Sequence, residues 1–139
     1  MGELGRQLNL EWTTVTRNQA RVEDHDRGTI IAAYSFVYSR AGPPYIELIE
    51  SAGDSMWTTS EPYLHHMGAW TNDLATESEQ LELGGWPRVA HGIGEDGGIA
   101  RFAFHSTGYG PMIELLAPEL QTGLERWIAG GELFPARPT

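Results

Sequence analysis

The sequence predicts an α+β fold: two facing βαβββ modules, the first lacking its opening strand, followed by a C-terminal helix. Three observations predict it. The stretch S-R-A-G-P-P-Y-I-E-L-I from Ser39 to Ile49 returns as S-T-G-Y-G-P-M-I-E-L-L from Ser106 to Leu116, so that Ser39 and Ser106, Pro44 and Pro111, and Glu47 and Glu114 are each 67 residues apart. Each copy is preceded by an aromatic, strand-like run, Tyr34–Tyr38 and Arg101–His105, which makes it a strand, a proline turn and a strand. A capped helix signal precedes the second hairpin. Two copies are too few for a solenoid, which needs about three or more, so a closed pair is expected.

The first module opens on the tail of a helix, Glu3–Leu10, because Leu8-Asn-Leu-Glu-Trp12 resembles Leu81-Glu-Leu-Gly-Gly-Trp86 at the end of the later helix. Trp12–Thr16 is then its second strand, a longer turn follows around Glu23–Gly28, and Thr29–Tyr38 is its third strand. The strand that would precede this helix has no counterpart in the sequence. A shortened chain, a misassigned start and a fragment each account for that. In the second module Leu64–Trp70 is the opening strand. Asn72 or Asp73 caps a helix that runs to about Leu83 and stops at Gly84-Gly85. Pro87–Ala90 is a short strand, and Ile99–His105 and Pro111–Leu116 form the closing hairpin. Pro118 starts the last helix, with Leu120, Leu124, Trp127 and Ile128 on one stripe and Gly130-Gly131 at its end. The expected organisation is one domain over 1–139: an incomplete module at 1–60, a complete one at 61–117, and the helix at 118–131.

Composition narrows the function. Nine basic residues against nineteen acidic ones give a formal charge of −10, which leaves no basic footprint for nucleic acid and disfavours anionic membrane surfaces. There is no cysteine, which excludes disulfides, thiolate nucleophiles and zinc–thiolate sites and suits a cytoplasmic location. No apolar run approaches the roughly 18–20 residues that span a bilayer. Small molecules, metals and other proteins remain as partners.

The string Leu64-His-His-Met-Gly-Ala-Trp-Thr-Asn-Asp-Leu74, together with Tyr45-Ile-Glu-Leu-Ile-Glu50 and Met112-Ile-Glu-Leu-Leu-Ala-Pro118, resembles the opening and closing strands of the glyoxalase/bleomycin-resistance/extradiol-dioxygenase (vicinal oxygen chelate) superfamily. The likeness covers nearly the whole chain, and the glyoxalase I and methylmalonyl-CoA epimerase branches are nearest. The resemblance implies a divalent metal between the modules, held by the first and last strand of each. Carried over, Glu47 closes module one, His66 opens module two and Glu114 closes module two. The position that opens module one has no counterpart. The resemblance also selects His66 over His65 as the ligand.

Strand alternation adds a physical reading of the same residues. Tyr45, Glu47 and Ile49 share a face, as do Met112, Glu114 and Leu116, and as do His66, Gly68 and Trp70. A carboxylate among apolar neighbours is paired, protonated or metal-bound, because a bare buried charge costs several kcal/mol. The bland alternative is edge glutamates facing solvent and packed or surface histidines. An imidazole with two carboxylates suits Zn, Fe, Mn, Co or Ni better than Ca. On Ile99–His105 the apolar positions Ala100, Phe102 and Phe104 are expected under a helix, which turns Arg101, Ala103 and His105 toward the cavity. The 67-residue offset puts Tyr34, Phe36 and Tyr38 on the matching face of module one. Arg101 is then a candidate to hold a carboxylate or phosphate and His105 to carry protons. Gly92-Ile-Gly-Glu-Asp-Gly97 matches G-x-G-x-x-G but leads into a strand, so it reads as a loop. Asp24-His25-Asp26 reads as a solvated, charged turn.

Two functions follow as expectations. One is a metal-dependent lyase, isomerase or epimerase acting on a small oxygenated substrate, with Glu114 or Glu47 moving a proton. The other is a metal-free protein that sequesters a flat ligand against Tyr34, Phe36, Tyr38, Tyr45 and Trp70. The resemblance implies a separate acidic base on module one's third strand in the epimerase branch; Thr29–Tyr38 contains no acidic residue, which argues against methylmalonyl-CoA epimerase activity itself. An extradiol dioxygenase wants two histidines and one carboxylate, and ranks last. The unpaired edge of the clipped module predicts a homodimer.

Overall fold

The computed structural model describes residues 2–60 and 63–133. After a short helix α1 (Gly2–Leu8) come strands β1 (Thr16–Asp24), β2 (Gly28–Tyr38), β3 (Glu47–Ser51) and β4 (His66–Trp70), helix α2 (Leu74–Leu83), strands β5 (Arg88–Ile93), β6 (Ile99–His105) and β7 (Met112–Leu116), a 3-10 turn at Pro118–Leu120, and helix α3 (Gln121–Ile128). The α+β class and the C-terminal helix expected from the sequence are both present. The strands form one sheet in the order β3-β2-β1-β5-β6-β7-β4, mixed because β4 runs parallel to β7 while every other pair is antiparallel.

That order is a near mirror about the β1–β5 seam. There Val22, Glu23 and Asp24 pair with Gly92, His91 and Ala90. Outward from it run β2 and β3 on one side, and β6, β7 and β4 on the other. β3 has no outer partner among the described residues, which is where a strand equivalent to β4 would lie.

Local chemistry explains the elements. The Asp73 side chain accepts from the backbone N–H of Thr76 and so caps α2, while Gly85 at φ +94 follows its end. The helix lies on the outer face of β6 and β7, where Leu74 packs with Ala103, Leu115 and Ala117. The inner, concave face gathers Val22, Ala32, Ala90, Phe102 and Phe104 around Met56 and Trp57, which come from the β3–β4 connection. Against module one, Phe36 packs with Trp127 and Ile128 of α3.

Three expectations are corrected. Module one's second strand is not Trp12–Thr16: β1 begins at Thr16, and Trp12 makes only an isolated bridge to Ser39. β5 extends beyond Pro87–Ala90 to Ile93, because its alternating buried residues Ala90 and Gly92 face the core. The Asp24-His25-Asp26 turn is not fully solvated. Asp24 is 2% exposed, receives the N–H of Asp26 and pairs with Arg27 at 3.2 Å, so its charge is matched rather than hydrated. Residues 94–98 form the β5–β6 turn, as the loop reading of G-x-G-x-x-G requires.

Candidate metal centre

β3 and β4 are the two ends of the strand order, yet the sheet curls until they meet. Nε2 of His66 on β4 lies 3.2 Å from Oε2 of Glu47 on β3 and 3.3 Å from Oε2 of Glu114 on β7. One ligand atom from each of the three lies within 4.8 Å of the other two. The ladder sets each glutamate's cross-strand partner: Glu47 stands opposite Tyr38, Glu114 opposite Phe104 on one side and Gly68 on the other. Gly68 borders the site: a Cβ there would stand at ordinary contact distance, 3.6 Å from Oε2 of Glu114 and 3.4 Å from Leu116 Cδ1. Phe104 backs the imidazole edge-to-face, with ring centres 5.0 Å apart at 90°.

The electrostatics follow from that packing. Burial pulls the His66 pKa down, but hydrogen bonds and charge from Glu114 and Glu47 outweigh it and raise the group from 6.5 to about 10. Burial pushes the Glu114 carboxyl up; His66 opposes this and the Glu47 charge adds to it. Burial and the two negative charges likewise hold the Tyr38 phenol well above its ordinary value. Glu47, His66 and Glu114 side chains keep 17, 10 and 11% of their exposure, so a small ion or ligand atom can reach them from solvent.

The other candidates divide. Tyr38 borders the triad. Met112 pairs with His66 across the β4–β7 ladder. Tyr34 and Phe36 face the concave side as expected, but their rings are already engaged: Tyr34 lies 4.4 Å from Trp57 and Phe36 lies 5.5 Å from Trp127, centre to centre. Tyr45 packs beside Phe36 and Ile49 in the α3 cluster. Trp70 stands at the far end of β4, opposite Leu116. His65, passed over for His66 as the ligand, lies behind it, with its nitrogens against His66 Nδ1 and the Met56 carbonyl.

β6 corrects the cavity wall. Phe102 and Phe104 face the concave side and contact Trp57, while Ala103 lies under α2. His105 does not face the site: it is fully buried beneath α2, with Nε2 2.8 Å from Ser78 Oγ and Nδ1 2.8 Å from the Trp86 carbonyl. Arg101 is exposed with φ +72, a break in strand alternation next to the irregular β5–β6 register. The cause of the inversion is a one-residue difference in loop length. Eight residues separate Tyr38 from Glu47 and nine separate Phe104 from Glu114, so an ungapped 67-residue offset is right for β3 and β7 but wrong by one for β2 and β6. A slip of one exchanges the faces.

Sequence reasoning also missed Trp57. It is 7% exposed and touches Tyr34, Phe102 and Phe104, filling much of the concave face. The surrounding Ala52–Ser60 has no strand or helix period, so its only signal is a large aromatic residue in a Gly/Ser/Thr-rich stretch.

A family model described as the Glyoxalase/Bleomycin resistance protein/Dioxygenase superfamily matches residues 1–104. That span includes Glu47 and His66 and stops before Glu114. No curated protein and no solved structure matches the chain.

Proposed function

This chain belongs to the glyoxalase/bleomycin resistance protein/dioxygenase superfamily, and from that premise we propose that it is a metal-dependent lyase, isomerase or epimerase of the glyoxalase-like type acting on a small oxygenated substrate. The observation that carries the proposal is the convergence of one imidazole and two carboxylates from three strands, with one ligand atom of each within 4.8 Å of the others. The donor set fits a divalent cation. Bonds of about 2.1 Å place neighbouring donor atoms roughly 3.0–3.4 Å apart in octahedral or tetrahedral geometry, and His66 stands 3.2 and 3.3 Å from its two carboxylates. Nitrogen and oxygen donors of this kind suit Zn, Fe, Mn, Co or Ni.

In this reading Glu47, His66 and Glu114 hold the cation, which when bound polarises a substrate carbonyl as a Lewis acid. The chain's own residues do the rest. Glu114, whose carboxyl burial raises above its ordinary value, accepts a proton from the carbon beside that carbonyl when displaced from the cation, and returns it. Glu47 is the alternative base. Phe104, Met112 and Tyr38 limit water around the site. The division into modules 1–60 and 61–117, the nearness to the glyoxalase I and methylmalonyl-CoA epimerase branches, and the cytoplasmic location are parts of the same proposal. Among the described residues no helix is long and apolar enough to cross a membrane.

One observation favours the second reading, a metal-free sequestering protein: His66 already satisfies both carboxylates without an ion. Elemental analysis of protein purified without chelator, with Glu114→Ala as control, separates the two. Close to one equivalent in the wild type, lost in the variant, supports the enzyme. Less than about a tenth of an equivalent in both removes it.

A further inference from the structure

Behind the triad stands a row of hydrogen-bonding groups that the ligand set does not use. His66 turns Nε2 to Glu47 and Glu114, and its other nitrogen, Nδ1, lies 2.8 Å from Nδ1 of His65. Nε2 of His65 lies 2.7 Å from the carbonyl oxygen of Met56. The two rings are perpendicular, with centres 5.1 Å apart. Adjacent residues on a strand point to opposite faces; these two rings meet because β4 begins only at His66, leaving His65 in the preceding connection.

The donors in this row follow from elementary chemistry. A carbonyl oxygen only accepts, so Nε2 of His65 carries a proton. A cation on Nε2 of His66 requires that nitrogen bare, so the single proton of His66 is on Nδ1. Nδ1 of His65 is then the acceptor, and the order runs from His66 Nδ1–H to His65 Nδ1, and from His65 Nε2–H to the Met56 carbonyl. Histidine ligands are commonly held this way by a carboxylate, carbonyl or water on the far nitrogen; here the acceptor is a second imidazole.

We propose that His65 is a positioning residue, which fixes the tautomer and ring orientation of His66 so that Nε2 is the nitrogen presented to a cation. The inference rests on the metal-dependent reading above. It also joins the centre to the connection that fills the concave face, because Met56 is the neighbour of Trp57 and both are buried.

The test uses the full chain, Zn2+ as probe, and two variants. H65N places an amide oxygen close to where Nδ1 stood; H65F keeps a ring but no acceptor. Calorimetry is expected to give H65N a Zn2+ affinity close to the wild type and H65F one about 10- to 100-fold weaker. In the metal-free wild type, 15N NMR is expected to show scalar coupling between the two Nδ1 nitrogens, and in the Zn2+-loaded protein a protonated Nδ1 on His66. A folded H65F with wild-type affinity overturns the proposal. So does absence of the coupling, a measurement that needs no variant and stands even if H65F fails to fold. If the wild type binds no Zn2+, the metal reading fails by itself, while the coupling still decides whether His65 holds the His66 ring.

Discussion

Nε2 of His66 and Oε2 of Glu47 lie 3.2 Å apart although β4 and β3 are the two extreme strands of the sheet. This contact, with Glu114, ties the sheet's ends together and makes the fold sensitive to pH. His66 and Glu114 are both raised above their ordinary values. Between about pH 6.5 and 10 the folded metal-free protein therefore binds more protons than the unfolded chain, and its stability falls as pH rises. The His66 contribution is fully present below about pH 6.5 and is lost on the way to about pH 10. Thermal melts in the presence of chelator are expected to show Tm declining across that window. A Tm that is flat or rises there contradicts the linkage.

The same proton opposes a cation. A metal on Nε2 of His66 must displace it, so apparent metal affinity is expected to rise about tenfold per pH unit below pH 10. Titrations with Zn2+ at pH 6, 7 and 8, analysed for proton release, test this. Glu47→Gln and Glu114→Gln each remove one of the charges that raise His66. Each is expected to lower its pKa, read by NMR, and to weaken metal binding.

Much of this site was legible in the sequence, for a physical reason. The closing strands β3 and β7 repeat without a gap, so Glu47 and Glu114 declared themselves as equivalents. α2 was equally clear, because Asp73 and Gly84-Gly85 punctuate it. The wall was not legible. One extra residue between Phe104 and Glu114 inverts β6, and an ungapped comparison put His105 where Phe104 stands. The likeness of Leu8–Trp12 to Leu81–Trp86 rests on a short, gapped string, and it places β1 four residues too early, at Trp12 rather than Thr16. The role of Trp57 depends on contacts made across the sheet, which no local pattern encodes.

His105 illustrates what the inverted strand does instead. With Nδ1–H donated to the Trp86 carbonyl, Nε2 accepts from Ser78, whose oxygen also receives Arg88 at 3.0 Å. Arg88 is in turn paired with Glu82. This row ties α2 to β5 and β6. Ser78→Ala leaves a buried imidazole nitrogen without a donor and is expected to cost about 1–3 kcal/mol, measured by urea denaturation, with metal affinity unchanged. A loss of metal binding at wild-type stability would contradict the separation of this row from the triad.

Trp57 makes the opposite kind of prediction. Truncation to Ala removes contacts with Tyr34, Phe102 and Phe104 and is expected to cost about 3–5 kcal/mol. It also opens the concave face beside the triad. Binding of small aromatic probes, followed by NMR shifts of Tyr34 and Phe104, is expected to increase in Trp57→Ala. If no probe perturbs those rings, Trp57 is not what closes the pocket.

The homodimer expected from the unpaired edge finds a more specific basis in the contrast between the modules' outer faces. In module two, α2 covers that face with Leu74 and Leu81. In module one, α1 buries no residue, and Leu4 and Leu8 are 37 and 52% exposed. Val15 and Ile31 are also exposed, and Val15, Val37 and Leu48 line an open cleft of about 230 Å³ beside β3. Apolar surface next to a free strand edge favours association, and a charge placed there opposes it. Light scattering at about 0.1 mM, roughly a hundredfold above a micromolar dissociation constant, is therefore expected to report a dimer, and Leu48→Lys a monomer that keeps its metal affinity. A monomeric wild type contradicts the prediction. A Leu48→Lys dimer with unchanged affinity places the contact on another surface.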